Sequence, residues 1–377
     1  MKLLLSNINW ISFVVPFGAA FLSSLVLIPV VKLIADKVGA IDFPSKIKIH
    51  KKPIPRLGGV AIFIAFAALV ILDLVWGHRI VGEALSLKHV LGLLIGGAII
   101  VATGVIDDMK GLKPAYKFLG QLIAVFVVIF SGIGIDFLAS PFGTSFDLDS
   151  IRIPISFAES SFQIVLFADL FALVWILGMV NTANFLDGLD GLSGGIGLIA
   201  SLVLFFLSLR PEVNQPEVAY LAAAFAGALL GFLIFNFHPA KIFAGDSGAM
   251  LIGFVIGVLA IINGAKIATA LLIMGFPILD VAWSILRRLI KGKSPFKGDK
   301  KHFHHRLLEL GLSQRQAVLV FYFFGICFGL AAFFLQGSQL KMIALLVLGG
   351  LMMGVTYLVV KGISSRQKKR KKKKKKR

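Results

Sequence analysis

Long apolar stretches alternate with short polar ones along almost the whole chain. A helix that crosses a bilayer needs about 20 mostly apolar residues. The pattern predicts eleven such spans, at roughly 10–35, 57–76, 89–106, 118–135, 163–182, 191–209, 218–236, 247–263, 267–290, 317–336 and 342–361. Apolar residues surround most of these segments, as in helices packed among other helices. The runs are continuous rather than alternating, which argues against a β-barrel. The first span resembles a secretory leader, but it lacks a strongly basic start and a small-residue cleavage site, and it is read as a helix. The expected fold is all-α: a polytopic integral membrane protein with a single transmembrane catalytic domain over 1–361. Residues 362–377 form a basic cytoplasmic tail, expected to be disordered. Between spans four and five, 136–162 reads as irregular or a short hairpin.

Composition agrees and adds a puzzle. The chain is 58% hydrophobic and only 15% charged, outside the range of soluble domains. A single cysteine, Cys327, excludes a disulfide framework. Yet the net charge is +20, from 39 Lys and Arg against 19 Asp and Glu. Basic residues favour the cytoplasmic side of membrane proteins. With the N-terminus outside, only Lys2, Arg79, Lys88, Arg152, Arg210, Lys266 and Lys341 fall outside or at outer helix ends. An odd number of spans then puts the C-terminus in the cytoplasm. The tail from Arg366 to Arg377 supplies 11 of the basic residues. It suits anionic lipid better than nucleic acid, for it has no interleaved aromatics and no nucleic-acid fold beside it.

The unusual polar groups all fall in the loops assigned to the cytoplasm. His50-Lys51-Lys52-Pro53-Ile54-Pro55-Arg56-Leu57-Gly58-Gly59 leads into a helix start, where free N–H groups beside Lys51 and Arg56 suit an anion. Asp107 and Asp108 end a span, where the helix dipole disfavours anions. Adjacent acids of this kind commonly meet a divalent cation, a lysine or a mobile proton, and Lys117 follows closely. Asn181-Thr182-Ala183-Asn184-Phe185-Leu186-Asp187-Gly188-Leu189-Asp190-Gly191-Leu192 is dense in the oxygen ligands that suit a hard cation or a sugar nucleotide. Asp246, between glycines at the start of a span, is a helix cap on its own. Beside the other acidic loops it becomes a metal-ligand candidate.

Two further segments complete the set. Asp280 and Arg287 are two helical turns apart and share a face, which suggests an orienting pair. Lys301-His302-Phe303-His304-His305-Arg306-Leu307 holds three of the seven histidines. Without nearby cysteines or i, i+4 spacing a zinc site is a weak reading; these donors suit diphosphate and sugar oxygens better. Together the loops carry what metal-assisted phosphoryl transfer at a membrane face requires. A transporter is the competing class, but the polar positions cluster in loops rather than along a path through the bilayer.

At this point the chain resembles the polyprenyl-phosphate N-acetylhexosamine-1-phosphate transferases of the glycosyltransferase 4 type. The aspartate pair, the DGLDGL loop, the GDSG segment and the histidine-rich last loop carry the likeness, in order, over 10–361. The PIPRLGG and HFHHRL versions look like the WecA/TagO branch rather than MraY. The resemblance implies transfer of GlcNAc-1-phosphate from UDP-GlcNAc to undecaprenyl phosphate at the inner membrane, with Mg²⁺ or Mn²⁺ as cofactor. Another UDP-HexNAc or UDP-MurNAc-pentapeptide is the alternative donor. By motif, Asp246 would lead the metal ligands with Asn184 beside it and Asp108 as metal or lysine partner, and Asp107, Asp108 and Asp246 would be catalytic. Lys51, Arg56 and Lys117 would contact phosphates, and Asp187 and Asp190 would lie by the nucleotide. His302, His304, His305 and Arg306 would bind the diphosphate and amino-sugar. The family also makes a homodimer plausible.

Overall fold

In a computed structural model the described residues are 9–44, 50–135, 137–139, 145–157, 160–262, 274–290, 292, 303–335 and 337–375. Each of the eleven expected spans overlaps one helix. In chain order these are α1 (Ile11–Val38), α2 (Gly58–Leu72), α3 (Leu87–Lys110), α4 (Pro114–Phe130), α5 (Leu166–Leu186) and α6 (Leu192–Ser208). They continue as α7 (Pro216–Asn236), α8 (Gly245–Ile262), α9 (Gly275–Ile290), α11 (Gln314–Phe334) and α12 (Ser338–Lys375). A short helix, α10 (Phe303–Glu309), lies in the histidine-rich loop. Among the described residues seven helices are long and apolar enough to cross a membrane, and three further apolar helices are shorter.

Local chemistry sets several helix starts. Pro114 and Pro216 occupy first-turn positions of α4 and α7, where a missing N–H costs nothing. Ser86 and Ser313 cap α3 and α11 reciprocally with His89 and Gln316. The stretch 136–162 holds two antiparallel hairpins among its described residues. They are β3 (Phe137–Ala139) with β4 (Ser145–Asp147), and β5 (Arg152–Phe157) with β6 (Ser160–Val165). The second reaches Leu166, where α5 begins, later than the span expected at 163. Helix α12 runs on through Lys375, into the segment that composition reads as a disordered tail. After Gly362 no glycine or proline interrupts it, and Lys and Arg are good helix formers.

Helix α8 lies at the centre, with 89% of its residues buried. It packs against α2, α3, α5 and α6. Membrane helices approach closely where small residues meet. A Cβ on Gly104 of α3 would lie 2.3 Å from the Ser247 backbone, and one on Gly59 of α2 would lie 2.1 Å from the Gly248 nitrogen. The chain before α2 adds a strand-like seam. Gly58 and Gly59 donate their N–H groups to the carbonyls of Phe243 and Ala244, each at 3.0 Å, and the Phe243 N–H donates to the Pro55 carbonyl at 2.9 Å. The first polar loop and the start of α8 are thereby one unit. Gly104→Ala is expected to push α3 off α8 at a cost of about 1–3 kcal/mol. Thermal unfolding in detergent reads this, and an unchanged Tm would show that the gap is not tight.

Candidate active site

Two helix ends and two helix starts meet at this seam. Helix α3 ends with Asp107 and Asp108, α4 begins near Lys117, α5 ends near Asn184, and α8 begins with Asp246. Consecutive helical residues point about 100° apart, so the two adjacent aspartates face different neighbours.

Asp107 turns toward α4. The Lys117 Nζ lies 3.1 Å from its Oδ2, and the Leu112 N–H donates to its Oδ1 at 2.5 Å. The same Nζ lies 2.6 Å from Asp246 Oδ1. The Asn184 side-chain amide donates to that oxygen at 2.5 Å, and Lys117 Nζ lies 3.4 Å from Asn184 Oδ1. One ammonium therefore joins two carboxylates and an amide drawn from three different helices.

Asp108 turns the other way, into α8. Its Oδ1 accepts the Asp246 N–H at 2.9 Å, and its Oδ2 accepts the Ser247 N–H at 3.2 Å and hydroxyl at 2.9 Å. The side chain has no exposed surface. It acts as a cap for α8, supplied from another helix. Gly245, at φ 69°, leaves room for that carboxylate: a Cβ there would come within 2.4 Å of Asp108 Oδ2. This geometry differs from the expectation that Asp108 presents itself to a metal, since both its oxygens are engaged by α8.

Beside the cluster opens a cavity of about 290 Å³. Asn184, Asp187, Asp190, Asp246, Arg56 and His305 line it, so six of the expected site residues share one space. Asp187 accepts the Ser193 hydroxyl at 2.5 Å. Burial pushes its carboxyl up to about 7; Ser193 opposes this, while the charges of Asp246 and Asp108 add to it. Asp190 accepts from the Ala240 N–H at 3.1 Å and pairs with His238 Nδ1 at 2.7 Å. It thus ties the DGLDGL loop to the segment after α7. Asn236 does the same, accepting the Gly191 N–H at 3.0 Å and donating to the Ile242 carbonyl at 2.9 Å.

The histidine run divides on α10. His305 faces the cavity. His304 is 2% exposed and lies under Gly188, where a Cβ would come within 2.4 Å of its Nε2. The two rings are 4.3 Å apart between centroids. Arg306 is half-buried and does not line the cavity, and Lys51 is exposed and outside the lining. His302 lies outside the described residues, as does the side chain of Arg287. Asp280 accepts the Phe303 N–H at 2.9 Å and so anchors the start of α10. Sequence reasoning missed Asp42, His50, Asn236, Phe243 and Gln314 as cavity residues. Only His50 carried a signal, its place at the head of the first polar loop.

Among the described residues no group of three or more His, Cys, Asp or Glu side chains is gathered around a point where a metal ion fits. Magnesium is commonly held by one or two carboxylates, with phosphate and water oxygens completing the shell. Asp246, Asn184 and Asp187 supply oxygen donors at the cavity wall.

A family model described as glycosyl transferase family 4 matches residues 90–264, which include every acidic residue of the cluster. A probable undecaprenyl-phosphate N-acetylglucosaminyl 1-phosphate transferase of Bacillus subtilis is 33% identical over 337 residues, covering 88% of this chain and 87% of that protein. A decaprenyl-phosphate N-acetylglucosaminephosphotransferase of Mycolicibacterium smegmatis is 34% identical over 367 residues, covering 90% and 86%. A phospho-N-acetylmuramoyl-pentapeptide-transferase of Shouchella clausii is 30% identical over 332 residues, covering 84% and 94%. The chain belongs to glycosyl transferase family 4, on the WecA/TagO side of that family rather than with MraY.

Proposed function

We propose that the protein transfers GlcNAc-1-phosphate from UDP-GlcNAc to undecaprenyl phosphate at the cytoplasmic face of the inner membrane. The observation that carries this reading is the Lys117–Asp107–Asp246–Asn184 cluster at the edge of the polar cavity. The similarity to N-acetylglucosamine-phosphate transferases acting on polyprenyl phosphates supports it. The concentration of basic residues in the loops on that side supports the orientation.

In the reaction an oxygen of the lipid phosphate attacks the sugar-bearing β-phosphorus of UDP-GlcNAc. The bond from that phosphorus to the bridging oxygen breaks, and UMP leaves with the bridging oxygen. Charge balances without a net proton transfer, because a phosphate monoester is already largely ionised near neutral pH. No general base is therefore needed, and Asp107 serves to hold Lys117 in place. The Lys117 ammonium is placed to neutralise phosphate oxygens as charge redistributes. Arg56 and His305, on the cavity wall, orient the diphosphate and sugar. Asp246, Asn184 and Asp187 would hold Mg²⁺, which supplies Lewis-acid neutralisation of the diphosphate.

UMP release from UDP-GlcNAc is expected only when polyprenyl phosphate and Mg²⁺ are both present. A panel of UDP-sugars fixes the donor: faster turnover with UDP-MurNAc-pentapeptide or another UDP-HexNAc would overturn the GlcNAc assignment. A phosphorylated aspartate accumulating with UDP-GlcNAc alone would replace direct attack by a covalent route.

A further inference from the structure

A second polar assembly surrounds Arg56 on the cavity wall, and its other members have no role in the chemistry above. It comes from the loop between α1 and α2. A two-residue pairing of β1 (Ile41–Asp42) with β2 (Ile54–Pro55) sets Ile41 opposite Pro55 and Asp42 opposite Ile54. The Arg56 N–H donates to the Ala40 carbonyl at 2.8 Å. Asp42 is thereby fixed beside Arg56.

The Asp42 side chain is only 9% exposed, whereas that of Arg56 is 31% exposed and reaches the cavity. Asp42 Oδ1 accepts from Arg56 Nη2, and Oδ2 pairs with His50 Nε2 at 2.8 Å. The other ring nitrogen of His50 faces the Lys52 carbonyl, also at 2.8 Å. Both ring nitrogens thus face oxygens, which fixes the orientation of the ring. The Phe243 ring packs edge-on against His50, with centroids 5.3 Å apart. The second Arg56 terminal nitrogen lies 3.9 Å from Asp108 Oδ1.

We propose that Asp42 is a positioning residue that aims the Arg56 guanidinium into the cavity as a phosphate clamp, with His50 bracing Asp42 from behind. An arginine on a flexible loop loses much of its binding power to side-chain entropy. One held by a buried carboxylate keeps its remaining donors in a fixed fork, the geometry that phosphate oxygens match. Asp42 holds Arg56 with one carboxylate oxygen and His50 with the other, so neither oxygen is left to turn toward the cavity. The ligand class is a phosphate group, carried either by the nucleoside diphosphate or by the lipid acceptor. This inference rests on the function proposed above.

Steady-state kinetics on the full-length enzyme test it, with UDP-GlcNAc and polyprenyl phosphate varied separately. Asp42→Asn and Arg56→Gln are each expected to raise the KM of the same substrate about tenfold, the loss of one charge-assisted hydrogen bond, with kcat changed less than about threefold. The double variant is expected to be no worse than Arg56→Gln alone, because Asp42 acts through Arg56. The substrate whose KM rises identifies the phosphate. Multiplying effects in the double variant, or an Asp42→Asn enzyme with both KM values unchanged, would overturn the proposal. If Asp42→Asn does not fold, His50→Gln is expected to raise the same KM, and its failure to do so would also overturn it. A wild-type protein that releases no UMP from any UDP-sugar fails the functional reading instead. In that case binding of UDP-GlcNAc by calorimetry, compared between wild type and Arg56→Gln, still tests the clamp: equal affinity and an unchanged lipid-phosphate titration would reject it.

Discussion

Asp246→Ala is expected to abolish UMP release, with a loss on the order of 10³-fold or more in kcat. One oxygen of this carboxylate receives both the Lys117 ammonium and the Asn184 amide. Removing it frees two donors that are otherwise held at the cavity edge, and it removes the leading candidate for a metal ligand. The start of α8 should survive, because the Asp246 N–H that Asp108 accepts is a backbone group. Helix α8 is also buried along most of its length. The expected result is therefore a folded protein, with Tm near that of the wild type, which turns over too slowly to measure in an ordinary UMP assay. Turnover within tenfold of wild type would remove Asp246 from the chemistry.

Lys117→Gln is expected to lower kcat by roughly 10²–10³-fold and to reduce stability as well. The ammonium lies 3.1 Å from Asp107 and 2.6 Å from Asp246. Without it, two like charges from α3 and α8 face each other in a half-buried setting. Breaking a buried ion pair costs about 3–5 kcal/mol; partial solvent access places this case below that range. Lys117→Arg keeps the charge but presents a planar fork to a site built around a point donor. It is expected to recover stability more fully than rate. An Lys117→Gln enzyme with a normal kcat at saturating substrates would show that the lysine is only a structural tie.

Most of the scaffold was legible because a membrane span is a matter of length and continuity. Eleven apolar runs marked eleven helices. The hairpins in 136–162 were less so, since Phe137–Ala139 and Ser145–Asp147 are too short to carry an alternation. The acidic loops pointed to one site, and the cavity gathers most of their side chains. What adjacency in sequence concealed was direction. Asp107 and Asp108 read as a pair but serve different partners, because neighbouring residues on a helix point to different sides. His304 and His305 diverge on α10 in the same way, one beneath Gly188 and one into the cavity. Asp42 was invisible for another reason. A lone aspartate in a basic loop carries no motif, and only the short pairing of 41–42 with 54–55 brings it to Arg56.

The seam at the start of α8 bears on how such a site can be redesigned. Gly59, Gly104 and Gly248 leave no room for even a methyl group where three helices meet, so altering the pocket from that wall means moving backbone. The loop that carries Arg56 is bound into the same seam through Pro55 and Phe243, so it shares that resistance. His305 is carried differently, on a seven-residue helix outside the seam. A laboratory effort to retarget the enzyme to a bulkier or more acidic sugar would therefore gain most by varying His305 and its neighbours on α10, and would leave the seam glycines untouched.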